Sequence, residues 1–221
     1  MDKKKRILSL DLIKGLACLL VIFLHVSSPF FYQDSSVVSH TYFSQVLYYV
    51  GTPAVPLFFM VNGFLLINKR SINYKYIFRK MFSILVPVLA WNGVLFVLYF
   101  LVGKGKNFFE LILGSLIQKG LFFQFWFLGA LMLVLLLVPL FNKLLKISRI
   151  AYLIILMVFL IICVSIDFLN HMYFNAPLQM NIIQTFRIWT WITYYLIGGF
   201  MGYIFHTRVY KRNITISVFL L

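Results

Sequence analysis

Three ionisable residues stand inside the first long apolar stretch of this 221-residue chain: Asp11, Lys14 and His25. Charged and titratable side chains are costly inside a bilayer and normally face a bundle interior or a wet cavity. In an α-helix, at 100° per residue, Lys14 and His25 fall about 20° from eclipsed and about 16 Å apart along the axis. Asp11 and Lys14 are an i,i+3 pair able to neutralise each other. All three therefore share one stripe, which continues through Cys18 to Ser28. A desolvated imidazole favours its uncharged form and can then accept a proton, as a general base must. It can also act as a nucleophile. The plainer reading makes Asp11 and Lys14 an interfacial pair that snorkels to water and His25 a hydrogen-bonded packing residue.

Other residues carry weaker signals. Asn62-Gly63 lies deep in an apolar run after Pro53 and Pro56, and is either a cavity wall or part of a kink. Arg79-Lys80 precedes the third apolar run; it is either ordinary inner-face charge or a phosphate clamp, since guanidinium pairs phosphates bidentately. Trp126, within Gln124-Phe125-Trp126-Phe127, is either an interfacial aromatic or a substrate contact. Gly198 and Gly202 have the spacing of a helix-packing motif. His40 and His171 fall in outer connectors, and His206 ends an apolar run. Cys18 and Cys163 sit in apolar runs as isolated thiols, with no disulfide framework and no metal spacing. No nucleotide-binding glycine loop, nucleophile elbow or zinc-binding helix motif occurs.

The elements that must position these residues are membrane helices. The chain is 62% hydrophobic and 11% charged, against about 45–50% and about 25% in soluble domains. Its 19% aromatic content excludes disorder. Six stretches are long enough to span: 15–33 with an amphipathic start from Ile7, 43–67 interrupted at Gly51-Thr52-Pro53, 82–102, 122–141, 150–168 and 187–206. A seventh starts at Ile214 and stops at Leu221, so the expected fold is an all-α polytopic bundle lacking its C-terminal part.

The net charge of +15 does not indicate nucleic acid, because the bases lie in short runs between apolar stretches. Fifteen fall in alternate connectors: Lys3 to Arg6, the group from Lys69 to Lys80, then Lys143, Lys146, Arg149, and Arg208, Lys211, Arg212. The opposite connectors hold four, Lys104, Lys106, Lys119 and Arg187. The positive-inside rule then places the N-terminus in the cytoplasm. Asp11 and Lys14 break what a signal peptide would keep as an uncharged core, so the first span is expected to be retained.

With these residues in hand, the order resembles the bacterial membrane acyltransferases of acyltransferase family 3. Ser9-Leu10-Asp11-Leu12-Ile13-Lys14-Gly15-Leu16-Ala17, then Val21 and His25, is similar to the opening of the family. Val55 to Leu66 is similar to its second helix, with Asn62 where serine is commoner; Phe78-Arg79-Lys80 through Pro87 and Trp126-Phe127-Leu128 through Pro139 are similar to its third and fourth. Among members, O-acetyltransferases of enterobacterial common antigen type look most alike. The resemblance implies one membrane-embedded domain over 1–221, and transfer of an acyl group, usually acetyl, from cytoplasmic acyl-CoA to a hydroxyl of a surface glycan or lipid-linked saccharide. It also implies residence in the bacterial cell membrane, His25 as the catalytic histidine, and Lys14 as its basic partner beside Asp11. Asn62, Arg79, Lys80 and Trp126 would then contact substrates, with no metal or bound cofactor. From another class, a transporter would line a path with Asp11, Lys14 and His25 and make no bond. An inert truncated fragment would do neither.

Overall fold

The computed structural model describes residues 7–31, 42–173 and 182–219, with 28–31 and 208–219 defined by their helical backbone alone. The N-terminal bases Lys3 to Arg6, His40, and the final residues 220–221 lie outside the described residues. Among those described there is no strand. The described residues form eight α-helices in order: α1 (Leu8–Phe31), α2 (Tyr42–Gly51), α3 (Ala54–Ile67), α4 (Tyr74–Leu101), α5 (Phe108–Leu116), α6 (Trp126–Ile147), α7 (Arg149–Tyr173) and α8 (Ile188–Phe219). Short 3-10 turns at Phe123–Phe125 and Gln184–Phe186 lead into α6 and α8.

Among the described residues, five segments are long and apolar enough to cross a membrane: Leu8–Ser27, Tyr42–Ile67, Tyr74–Leu101, Phe123–Ile147 and Arg149–Tyr173. They coincide with the first five apolar stretches of the sequence. The second is broken only at Thr52-Pro53, where the Thr52 hydroxyl donates to the Tyr49 carbonyl at 2.7 Å. Pro56 sits in the first turn of α3, where backbone N–H groups have no intrahelical partner to lose.

Three boundaries differ from the sequence expectation. The third helix starts at Tyr74 rather than Phe82, because the Asn73 side chain caps it by accepting from the Tyr76 N–H at 2.9 Å. An unexpected helix, α5, is nucleated the same way by Asn107, which accepts from the Phe109 N–H at 2.9 Å. The connector expected around Arg208 to Arg212, and a separate span from Ile214, are replaced by one continuous helix to Phe219. No glycine or proline follows Gly202 in that stretch, so nothing in the backbone chemistry stops the helix.

The core forms where α3, α6 and α8 meet, around Phe59, Val134, Leu135, Val138, Tyr195 and Leu196, with Tyr152 entering from α7. α3 and α8 make the most extensive helix pair. Their close approach depends on Gly63 and Gly198: a Cβ at either would overlap a carbonyl oxygen of the other helix, Tyr195 or Met60 respectively. Polar caps tie the helix ends. Asn142 of α6 donates to the Ile67 and Lys69 carbonyls at 2.6 and 2.9 Å, and Lys146 donates to the Arg70 carbonyl at 2.6 Å. Asn68 donates to Gly199 O at 2.8 Å and Tyr152 to Leu196 O at 2.8 Å. Elsewhere large apolar side chains face outward. On α7 these include Ile154, Val158, Ile161, Val164 and Phe168, the surface expected against lipid.

Candidate functional site

α1 packs mainly on α2 and α3. Its buried seam is Leu10, Ala17, Leu20 and Ser27, and the stripe of Asp11, Lys14, Cys18 and His25 lies about a third of a turn away from it. The polar residues therefore flank the packed seam rather than fill it. Cys18 is exposed, while Asp11, Lys14 and His25 are half-buried. The expected i,i+3 pair is present, with Lys14 Nζ 3.4 Å from Asp11 Oδ1.

Lys14 also lies within electrostatic range of Lys80 on α4, as does Lys69 from the α3–α4 connector. Lys69 is held by the Tyr76 side chain: its Nζ donates to the hydroxyl and lies 3.8 Å from the ring centroid. One end of the bundle thus gathers Lys14, Lys69 and half-buried Lys80. Arg79, about 100° round the helix from Lys80, is exposed.

Toward the other end, His25 meets Phe123 edge to face, ring centroids 6.4 Å apart. Phe123 belongs to an aromatic turn that also reaches α4, with Phe122 6.1 Å from Trp91 and stacked on Phe125 at 5.4 Å. That turn runs directly into Trp126, the first residue of α6. Asn62 is half-buried, and its amide donates to the Phe58 carbonyl of its own helix at 2.9 Å. So Lys14 and Lys80 are brought together and His25 is placed by the turn that leads to Trp126, while Arg79 lies on the exposed side of α4 and the Asn62 amide is bonded within its own helix.

Trp126 helps to line a cavity of about 200 Å³ bounded also by Thr52, Gln184, Arg187, Trp191 and Tyr194. The cavity touches α1 at Leu24, one residue before His25, and does not include the imidazole ring. The Trp126 and Trp191 rings are 5.3 Å apart, and Trp191 is stacked on Phe59 at 5.0 Å. The 3-10 turn before α8 is pinned on both sides. Gln184 N–H donates to Gln118 Oε1 at 2.7 Å, the Thr185 hydroxyl to Leu116 O at 2.9 Å, and Trp191 Nε1 to Gln184 O at 2.7 Å. Sequence reasoning counted Arg187 only as a base in an outer connector. The signal for it was local: Gln184, Arg187 and Trp191 have i,i+3 and i,i+4 spacing at the start of an apolar helix.

Among the described residues no group of three or more His, Cys, Asp or Glu side chains could hold a metal ion. Comparison with curated proteins and with solved structures finds no match. The acyltransferase domain family matches residues 7–221, which takes in the α1 stripe, the basic start of α4 and the aromatic turn before α6, and the chain belongs to that family, acyltransferase family 3.

Proposed function

We propose that this membrane acyltransferase moves an acyl group, acetyl in the first instance, from cytoplasmic acyl-CoA to a hydroxyl of an envelope glycan or lipid-linked saccharide. It would do so in the cell membrane of a bacterium, with α1 starting in the cytoplasm and six crossings in the chain, α8 supplying the sixth. The observation that carries this reading is the arrangement along α1. The Lys14, Lys69 and Lys80 cluster marks one end, and His25, against the aromatic turn that leads to Trp126, lies toward the other.

The donor is a phosphate-rich anion, which the cation cluster would neutralise on the side where bases concentrate. Its thioester would then extend along the polar stripe toward His25. A neutral imidazole takes the proton of the acceptor hydroxyl as that oxygen attacks the thioester carbonyl carbon. The carbon–sulfur bond breaks, the CoA thiolate leaves, and the imidazolium returns the proton to the sulfur. Asp11 holds Lys14 in place. Arg79, exposed beside Lys80, would extend the phosphate contact at the cytoplasmic face; Asn62 and Trp126 would border the path taken by the two substrates.

The test supplies acetyl-labelled acetyl-CoA to inverted membrane vesicles bearing the full chain. This reading expects thioester loss that depends on the protein, with label appearing in saccharide. An intact thioester, with movement of a solute instead, would establish a transporter.

A further inference from the structure

The cavity between α2, α3, α6 and α8 contains a cation, Arg187, that no carboxylate contacts among the described residues. Arg187 is half-buried; its Nη1 donates to Gln184 Oε1 at 3.2 Å, and its buried Nε has no hydrogen-bond partner among the described residues. Asp167 on α7 is within electrostatic range, yet the two form no ion pair among the described residues. A guanidinium removed from water without a paired anion is costly. The turn that leads into it is fixed by three hydrogen bonds, which set where the Arg187 backbone enters the cavity wall.

The rest of the lining suits one kind of molecule. The half-buried Trp126 indole offers an apolar face for the C–H face of a pyranose, backed by Trp191, which is buried between Phe59 and Trp126. Thr52, Thr190, Tyr194 and Gln184 supply groups for ring hydroxyls. About 200 Å³ is smaller than a pocket for a drug-sized ligand and suits a single sugar ring. The cavity lies at the end of the bundle opposite the Lys14–Lys69–Lys80 cluster, and its edge at Leu24 is next to His25.

We propose that this cavity is an acceptor subsite for an acidic saccharide unit, its carboxylate or phosphate oxyanion on Arg187 and its ring against Trp126. The inference rests on the acyl-transfer reading for its biological use, and names the acceptor as an anionic glycan. A unit held there would leave the neighbouring sugar of the chain to present its hydroxyl at His25.

The experiment measures binding, so it stands apart from catalysis. Full chain reconstituted in nanodiscs is titrated with glucuronate, glucose 1-phosphate and glucose while tryptophan emission is followed. At least one of the two acids should give a saturable change with an affinity about tenfold or more above that of glucose. Preference between them identifies the carboxylate or the phosphate as the natural oxyanion. Arg187→Lys should keep the discrimination and Arg187→Gln should abolish it, with unfolding temperature checked for both. The wild-type comparison decides the matter even if a variant fails to fold. Equal response to glucose and the acids, no saturable response to any of the three, or discrimination surviving in Arg187→Gln overturns the proposal. His25→Ala should bind the acid as the wild type does; if His25→Ala also transfers acyl groups normally, the catalytic reading fails while the subsite stands.

Discussion

At the residue scale, Lys14 and Asn142 separate what a polar side chain does for chemistry from what it does for structure. Lys14 keeps one neighbour on its own helix, Asp11, and another cation in range across on α4. On the proposed mechanism, Lys14→Met should raise the KM for acetyl-CoA by about tenfold with a smaller change in kcat. Lys14→Arg should keep most of the affinity, because it keeps the charge that meets phosphate. Steady-state kinetics in membranes check both. Asn142 is buried and caps two carbonyls at the end of α3. Asn142→Ala leaves those carbonyls without a donor and should cost about 1–3 kcal/mol, read as earlier unfolding in detergent. The Asp11–Lys14 contact was legible in the sequence because an i,i+3 pair on a helix needs no tertiary information. The cavity around Arg187 was not, since its walls come from residues far apart in sequence that only packing assembles.

At the element scale, α3 and α8 are held together by absent side chains. Gly198→Val would drive a branched side chain into the Met60 carbonyl and should break the pair, giving little folded protein by size-exclusion chromatography. Gly15→Ala is the contrasting case. Its Cβ meets nothing within 4 Å, so alanine should be neutral or stabilise by about 0.5–1 kcal/mol through helix propensity. The packing role expected of Gly198 and Gly202 from their spacing is met by their contact with α3 at Met60, Phe64 and Asn68. What the pattern could not give was the extent of α8. Its Trp, Tyr and Thr residues make it the least apolar of the long helices, and it is buried by α3, α6 and α7 rather than turned wholly to lipid. The stretch 187–206 reads as a span, but its continuation does not, because Arg208, Lys211 and Arg212 read as an inner-face connector. α5 was missed for a different reason: a nine-residue helix is too short to register as a span.

At the scale of the whole molecule, the five apolar segments were legible because a bilayer imposes length and composition on any helix that crosses it. Orientation follows from charge and can be tested directly. With Cys18 and Cys163 replaced by alanine, Ser71→Cys should react with a membrane-impermeant maleimide only from the cytoplasmic side, and Gly105→Cys only from the other. The reverse pattern would invert the site and put the cation cluster where no acyl-CoA is found. On the proposed mechanism, acyl transfer depends on one imidazole, that of His25. The most direct measurement is label incorporated into saccharide from acetyl-CoA by membranes carrying His25→Ala, with the amount of inserted protein matched to wild type. Incorporation should fall to the level of membranes lacking the protein; incorporation equal to wild type would contradict the account.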